Sequence, residues 1–200
     1  MSEPLQTLAP GFRDPVLESQ NAFRAVLSAM SRPGRIEPVA LQTEPPAPLT
    51  AAAAAVLLTL VDMDTPLWLD DAADQPAVRD WLRFHCGCPL SGGPGEAAFA
   101  LIADPRTMPP LHRFAAGDSD FPDRSATLVL QVQALTDSDG LSLRGPGIET
   151  VRQLAAAPLP EDFQAQCRAN HALYPCGVDL LLAGPDRLAA LPRSIRMGDD

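Results

Sequence analysis

The chain has 200 residues, which suits one domain of about 100–200 residues, and its 15 basic against 25 acidic side chains leave a net charge of −10. So acidic a chain argues against a nucleic-acid or anionic-membrane surface, since both want a basic patch. Its 46% apolar content supports a buried core, and the longest apolar run, 51–61, is far short of the about 20 residues that cross a bilayer. Every basic residue is arginine and lysine is absent. A pyridoxal-phosphate enzyme needs a lysine for its Schiff base and a Walker-type loop needs one for phosphate, so both classes are excluded and no cofactor is expected. No basic, apolar leader opens the chain, which points to a cytoplasmic protein with Cys86, Cys88, Cys167 and Cys176 reduced.

Residues 1–13 read as a loose lead-in. Asp14-Pro15 is a helix start, a capping carboxylate followed by proline at the first helical position. Val16, Phe23, Val26, Leu27 and Met30 recur at helical spacing, and Ser31-Arg32-Pro33-Gly34 stops the helix. A short strand is expected at 35–41 and a Pro-rich loop at 43–48. Thr50 caps a helix over 51–61 that is apolar nearly all round and so buried. Asp62-Met63-Asp64-Thr65 breaks it. A strand at 66–69, an acidic loop at 70–74 and a helix at 76–85 follow, the last with Val78, Trp81, Leu82 and His85 on one face. Gly87 and Pro89 end that helix, and residues 91–95 connect to a strand at 97–103. Residues 104–123 are ambiguous, with Pro109-Pro110 breaking any long helix.

Residues 125–148 read as the organising stretch. The apolar run 126–135, the turn residues Thr136 to Gly140 and the alternating Leu141-Ser142-Leu143-Arg144 predict a β-hairpin. Gly145-Pro146-Gly147 is a stiff loop that lets backbone approach something closely, whether a ligand, a partner or a helix. Helices are expected at 149–156 and 160–174. A strand at 178–183, a turn at 184–187 and a return at 188–191 follow, with 192–196 extending that edge and 198–200 a tail. The sum is an α/β protein, a mixed β-sheet flanked by helices in one domain over 1–197.

Candidate chemistry is sparse. His85 has the titration range for phosphate binding, proton transfer or metal ligation, but a helix C-terminus also suits a histidine structurally. His85, Cys86 and Cys88 are three metal-ligand types in four residues, without the spacing of a zinc site. No metal site is assigned. Cys167 and His171 are four apart on one helix, but a nucleophile pair also needs an orienting group and an oxyanion site. Asp62 and Asp64 straddle a helix end, where caps are common. Arg83, Arg144 and Arg193 are guanidinium candidates for the oxygens of a phosphate-like anion. Gly145 and Gly147 add backbone N–H groups beside Arg144. No catalytic residue is assigned.

Several stretches, taken in order, resemble the PhnH subunit family of the carbon–phosphorus lyase core complex. They are Phe23-Arg24, Met30 to Gly34, Val56 to Leu60, Asp64 to Leu69, Leu82-Arg83-Phe84-His85, the 127–132 strand and Gly145-Pro146-Gly147-Ile148. Tyr174 to Leu180 and Leu191-Pro192-Arg193 complete the set. Cys86-Gly87-Cys88 and Cys176 depart from the family pattern. The resemblance implies a fold similar to pyridoxal-phosphate-dependent transferases without the cofactor site, which agrees with the missing lysine. It also implies a homodimer, and work with PhnG, PhnI and PhnJ as a required, non-catalytic subunit in phosphonate catabolism. The alternative is an independent α/β enzyme or binder of a small anion through Arg144, His85 and the Gly145–Gly147 loop; a thiol or metal redox role for Cys86 and Cys88 is a third reading.

Overall fold

A computed structural model describes residues 8–39, 42 and 44–198. In chain order, α1 spans Pro15–Ser31, β1 Glu37–Pro38, α2 Ala51–Leu60, β2 Leu67–Leu69, α3 Pro76–His85, β3 Phe99–Ile102 and β4 Thr127–Gln131. β5 follows at Ala134–Arg144, β6 at Arg152–Ala157, α4 at Phe163–His171, β7 at Asp179–Ala183, β8 at Arg187–Leu191 and β9 at Arg196–Met197. Residues 1–7, 40, 41, 43, 199 and 200 lie outside the described residues, and with them most of the expected lead-in, the end of the first strand and most of the tail.

A six-stranded sheet in the order β1-β8-β7-β4-β3-β2 carries the fold. β2, β3, β4 and β7 run parallel, and β8 and β1 add antiparallel strands at one edge. Side chains alternate across a sheet with period two, and here both faces are buried. Leu67, Leu101, Val129, Leu181 and Leu188 join the layer formed with α1, α2 and α3. Ile102, Leu128, Leu130, Leu180, Leu182 and Leu191 enter the opposite layer. A three-stranded antiparallel sheet, β6-β5-β9, and α4 cover that second face. Burial on both faces is why these strands read as unbroken apolar runs.

Local signals hold where they are self-contained. The Asp14 carboxylate accepts the Leu17 N–H at 3.0 Å, and the Thr50 hydroxyl accepts the Ala53 N–H at 3.3 Å. Ala52 through Leu57 are fully buried, so α2 is the all-round apolar helix expected of it. The return of the chain from β7 into β8 also stands, antiparallel in register Leu181↔Ala190.

Other expectations fail, each where a distant partner decides. There is no hairpin at 126–144. β4 stays between β3 and β7 in the large sheet, while β5 leaves it to pair with β6 and β9. The turn chemistry of 136–140 sits inside β5 as a bulge, where the register jumps between Thr136 and Leu141 and Asp139 takes a φ of 51°. The helix expected at 149–156 is the strand β6, because pairing with β5 and burial of Leu154 outweigh the helix propensity of three consecutive alanines. Residues 192–196 do not extend the edge of the large sheet; the chain crosses to pair β9 with β5. The late helix is shorter than 160–174 and covers Phe163–His171. The 104–123 stretch, by contrast, forms no long helix, as Pro109-Pro110 implied, and holds short 3-10 turns. On α1 it is the small residues Ala22, Ala25 and Ala29, with Val26, that face the core, while Val16, Phe23 and Leu27 point outward.

Candidate functional site

In an open α/β sheet, ligands bind outside the carboxyl ends of the parallel strands. Here the chain's own polar groups line that crevice and leave a pocket of ≈ 240 Å³ bordered by Thr50, Asp104, Arg106, Gln131 and Gln133. Gln131, the last residue of β4, is buried; its Oε1 accepts the Thr50 N–H at 2.6 Å and its Nε2 donates to Pro48 O at 3.0 Å. Asp70, just after β2 and 4% exposed, accepts the N–H of Ala73 at 2.8 Å and of Asp104 at 2.9 Å. These two side chains tie the loops after β2 and β3 and the start of α2 to the strand ends. Neither was singled out from the sequence, although a glutamine inside the apolar run 126–135 was a visible signal. Beside them Asp104 pairs with Arg106 at 2.8 Å, and that guanidinium holds the Asp104 carboxyl below its usual range.

His85 closes α3 but packs inward. Its Nε2–H donates to Ala9 O at 3.1 Å, and its ring lies 5.0 Å from Trp81 and 4.9 Å from Phe84. Gly11 sits so close that a Cβ there would come within 2.8 Å of His85 Nδ1. The ring therefore anchors the segment entering α1. Arg83 points to solvent and reaches Asp80 at 3.8 Å. Among the described residues no hydrogen bond or ion pair joins His85 or Arg83 to Arg144, so the anion candidates fall on separate elements.

The cysteines diverge as well. The Cys86 thiol donates to Leu57 O at 3.8 Å. Burial first, and then the neighbouring Cys88, push its pKa up to about 12. Cys88 is buried and raised for the same first reason. Cys167 is buried and pushed to about 12, while His171 Nδ1 lies 3.1 Å from Arg193 O. The Cys167–His171 pair has no built nucleophile: its thiol is the kind that stays protonated. Among the described residues no group of three His, Cys, Asp or Glu side chains converges to hold a metal ion. Asp62 braces the turn after α2, accepting the Asp64 N–H at 3.0 Å and the Thr65 hydroxyl at 2.7 Å, and those bonds lower its pKa, the hydroxyl first.

The Gly145–Gly147 loop approaches the end of α1. A Cβ on Gly147, whose φ is +82°, would lie 2.2 Å from Ser31 O. A helix C-terminus carries partial negative charge, so that side of the loop is a poor anion seat. Arg144 makes one long bond, to Thr150 O at 3.4 Å, and stands directly opposite Arg196 across the β5–β9 ladder. Among the described residues neither has a carboxylate partner. Arg193, by contrast, is spent internally. Its guanidinium meets Asp179 at 2.5 Å, Pro122 O at 2.7 Å and the Ser125 hydroxyl, tying the start of β7 to two loops.

Two of the remaining open features are apolar, while a third, of ≈ 560 Å³, is bordered by Arg35, Asp137, Arg152 and Gln153. A cavity of ≈ 390 Å³ lies along α4, lined by Leu111, His112, Ala165, Gln166, Ala169 and Leu173. The outward side of α1 exposes Val16, Phe23 and Leu27. No helix is long and apolar enough to cross a membrane among the described residues.

Comparison with known proteins points one way. The family model described as PhnH, bacterial phosphonate metabolism protein, matches residues 10–198. The chain is 38% identical over 197 residues to the alpha-D-ribose 1-methylphosphonate 5-triphosphate synthase subunit PhnH of Rhizobium meliloti (strain 1021), covering 98% of each. It is 31% identical over 175 residues to HtxG of Stutzerimonas stutzeri, named as a C-P lyase subunit, covering 88% of this chain and 83% of that protein.

Proposed function

The chain belongs to the PhnH family of bacterial phosphonate-metabolism proteins, and on that premise we propose that it is a required, non-catalytic subunit of a carbon–phosphorus lyase core complex. The observation that carries this reading is the match at 38% identity over 98% of both chains to a protein named as a synthase subunit. The site geometry supports it. At the carboxyl ends of the parallel strands Gln131 and Asp70 are committed to backbone partners, the histidine of α3 is a packing residue, and the Cys88 and Cys167 thiols are buried.

In this reading the chain acts as one domain over 1–197, in the cytoplasm, as a homodimer when isolated and with PhnG, PhnI and PhnJ when assembled. A kinship with pyridoxal-phosphate-dependent transferases goes with it, supported by the largely parallel sheet and by a sequence with no lysine to hold the cofactor. The test is growth on a phosphonate as sole phosphorus source. Deleting the gene should abolish growth, and restoring it should recover growth and co-purification of the partners. Growth without it, or phosphonate cleavage by the isolated chain, defeats the reading.

One observation favours the alternative of a small-anion binder: Arg144 and Arg196 face the same side without a carboxylate between them. Like charges directly opposite on neighbouring strands are destabilising unless something compensates them. Saturable binding of a phosphonate to the isolated chain, lost in Arg144→Ala, would support that alternative.

A further inference from the structure

α1 is apolar on two sides, and the fold uses one of them. Ala22, Ala25, Val26 and Ala29 are buried against the rest of the molecule. On the opposite side Val16 is 76% exposed, Phe23 49% and Leu27 56%. Together with Gln20 these residues follow a four-three-four spacing. That is the seam of a helix packing lengthwise on another helix. Thr59 of α2 forms one wall of a shallow groove beside Val16, Ser19, Gln20 and Phe23.

The charge along this seam runs against that of the whole chain. Arg24 is exposed beside Phe23 and Leu27, and Arg13 is exposed just ahead of the helix, neither with an ion pair among the described residues. Glu18 turns inward and accepts the N–H groups of Arg13 and Asp14 at 2.9 Å each. Of the acids on the helix and its cap, only Asp14 remains exposed, occupied in capping. In a chain of net charge −10, this strip is an apolar seam with a basic border. A second copy laid on the same strip would bring arginine borders together with little carboxylate to meet them. A partner with an acidic border satisfies them.

We propose that the outer face of α1 docks an apolar helix of another protein whose seam is flanked by acidic side chains. The proposal rests on the reading of the chain as an assembly subunit, and the partner is another subunit of that assembly. Phe23 and Leu27 supply the buried anchors, and Arg24 supplies orientation and encounter rate.

The test uses the full chain and the remaining subunits of the complex, with Phe23→Ser/Leu27→Ser and, separately, Arg24→Glu. All three positions are exposed, so thermal unfolding of the isolated variants should match the wild type. The double variant should weaken assembly by about 100-fold or more, the loss expected for two buried anchors. Arg24→Glu should weaken it by about tenfold, mainly through slower association that added salt no longer slows; it also serves as the measurement should the double variant prove unstable. Assembly as tight as the wild type in both overturns the proposal. So does a double variant that changes only the self-association of the isolated chain, which would make the face a contact between copies. If the wild-type chain joins no other subunit, the assembly reading itself falls and the docking proposal falls with it.

Discussion

Gly147→Ala is the most discriminating test of how the Gly145–Gly147 loop is built. Two independent penalties are expected. The residue has a φ of +82°, and holding an L side chain in the left-handed region costs about 1–2 kcal/mol. In addition the new Cβ would lie 2.2 Å from Ser31 O and 2.9 Å from the Pro33 ring. Forcing that end of α1 to move is an overpacking effect of about 1–3 kcal/mol, so the total is about 2–5 kcal/mol. Two other glycines separate the terms. Gly87 has a φ of +67° with nothing within 4 Å, and Gly92 has neither a left-handed φ nor a close neighbour. Chemical denaturation of the three alanine variants should give a graded series with unchanged m-values. Gly92→Ala should stay within about 0.5 kcal/mol of the wild type, Gly87→Ala should lose about 1–2 kcal/mol, and Gly147→Ala should lose the most. If Gly147→Ala is no worse than Gly87→Ala, the loop does not pack on α1 and its role as a structural clasp is wrong.

Leu180 and Leu181 are each 1% exposed but enter opposite layers. Alanine at either should therefore cost about 2–5 kcal/mol in denaturant unfolding, and losses well under about 1 kcal/mol at both would contradict a doubly buried strand. Burial raises the Cys86 and Cys167 thiols from an ordinary value of 9.0 to about 12. Between those values the unfolded chain has lost the proton that the folded chain keeps, so stability must fall as pH rises through that window and be unaffected by these groups below it. Alkaline unfolding titrations should show this decline, and a smaller decline in a Cys86→Ala/Cys167→Ala variant, which keeps the raised Cys88 thiol, would assign it. Treatment with pyridoxal phosphate and borohydride should leave no reduced adduct on any side chain, since no lysine is available; an adduct found by mass spectrometry would break that argument.

Features settled within a few residues were legible in the sequence. Asp14 and Thr50 cap their helices because a cap needs only a side-chain oxygen and an N–H three residues on. The apolar strands at 67–69, 99–102, 127–131 and 179–183 declare themselves because a strand buried on both faces needs apolar residues on both. The family was legible too, since its motifs recur in order along nearly the whole chain, as the match over 10–198 bears out. Of the candidate site residues, the sequence supplied identities but not surroundings. It could not show that His85 faces Ala9, that Gly147 abuts Ser31, or that Arg193 is committed to Asp179. It also passed over Gln131 and Asp70, whose partners lie as far away as Pro48 and Asp104. The tertiary structure alone decided that β5 would abandon β4 for β6, that three alanines would extend rather than coil, and which side of α1 would pack. Each of those choices is a competition between partners distant in sequence, where pairing and burial outweigh propensities worth less than about 1 kcal/mol per residue.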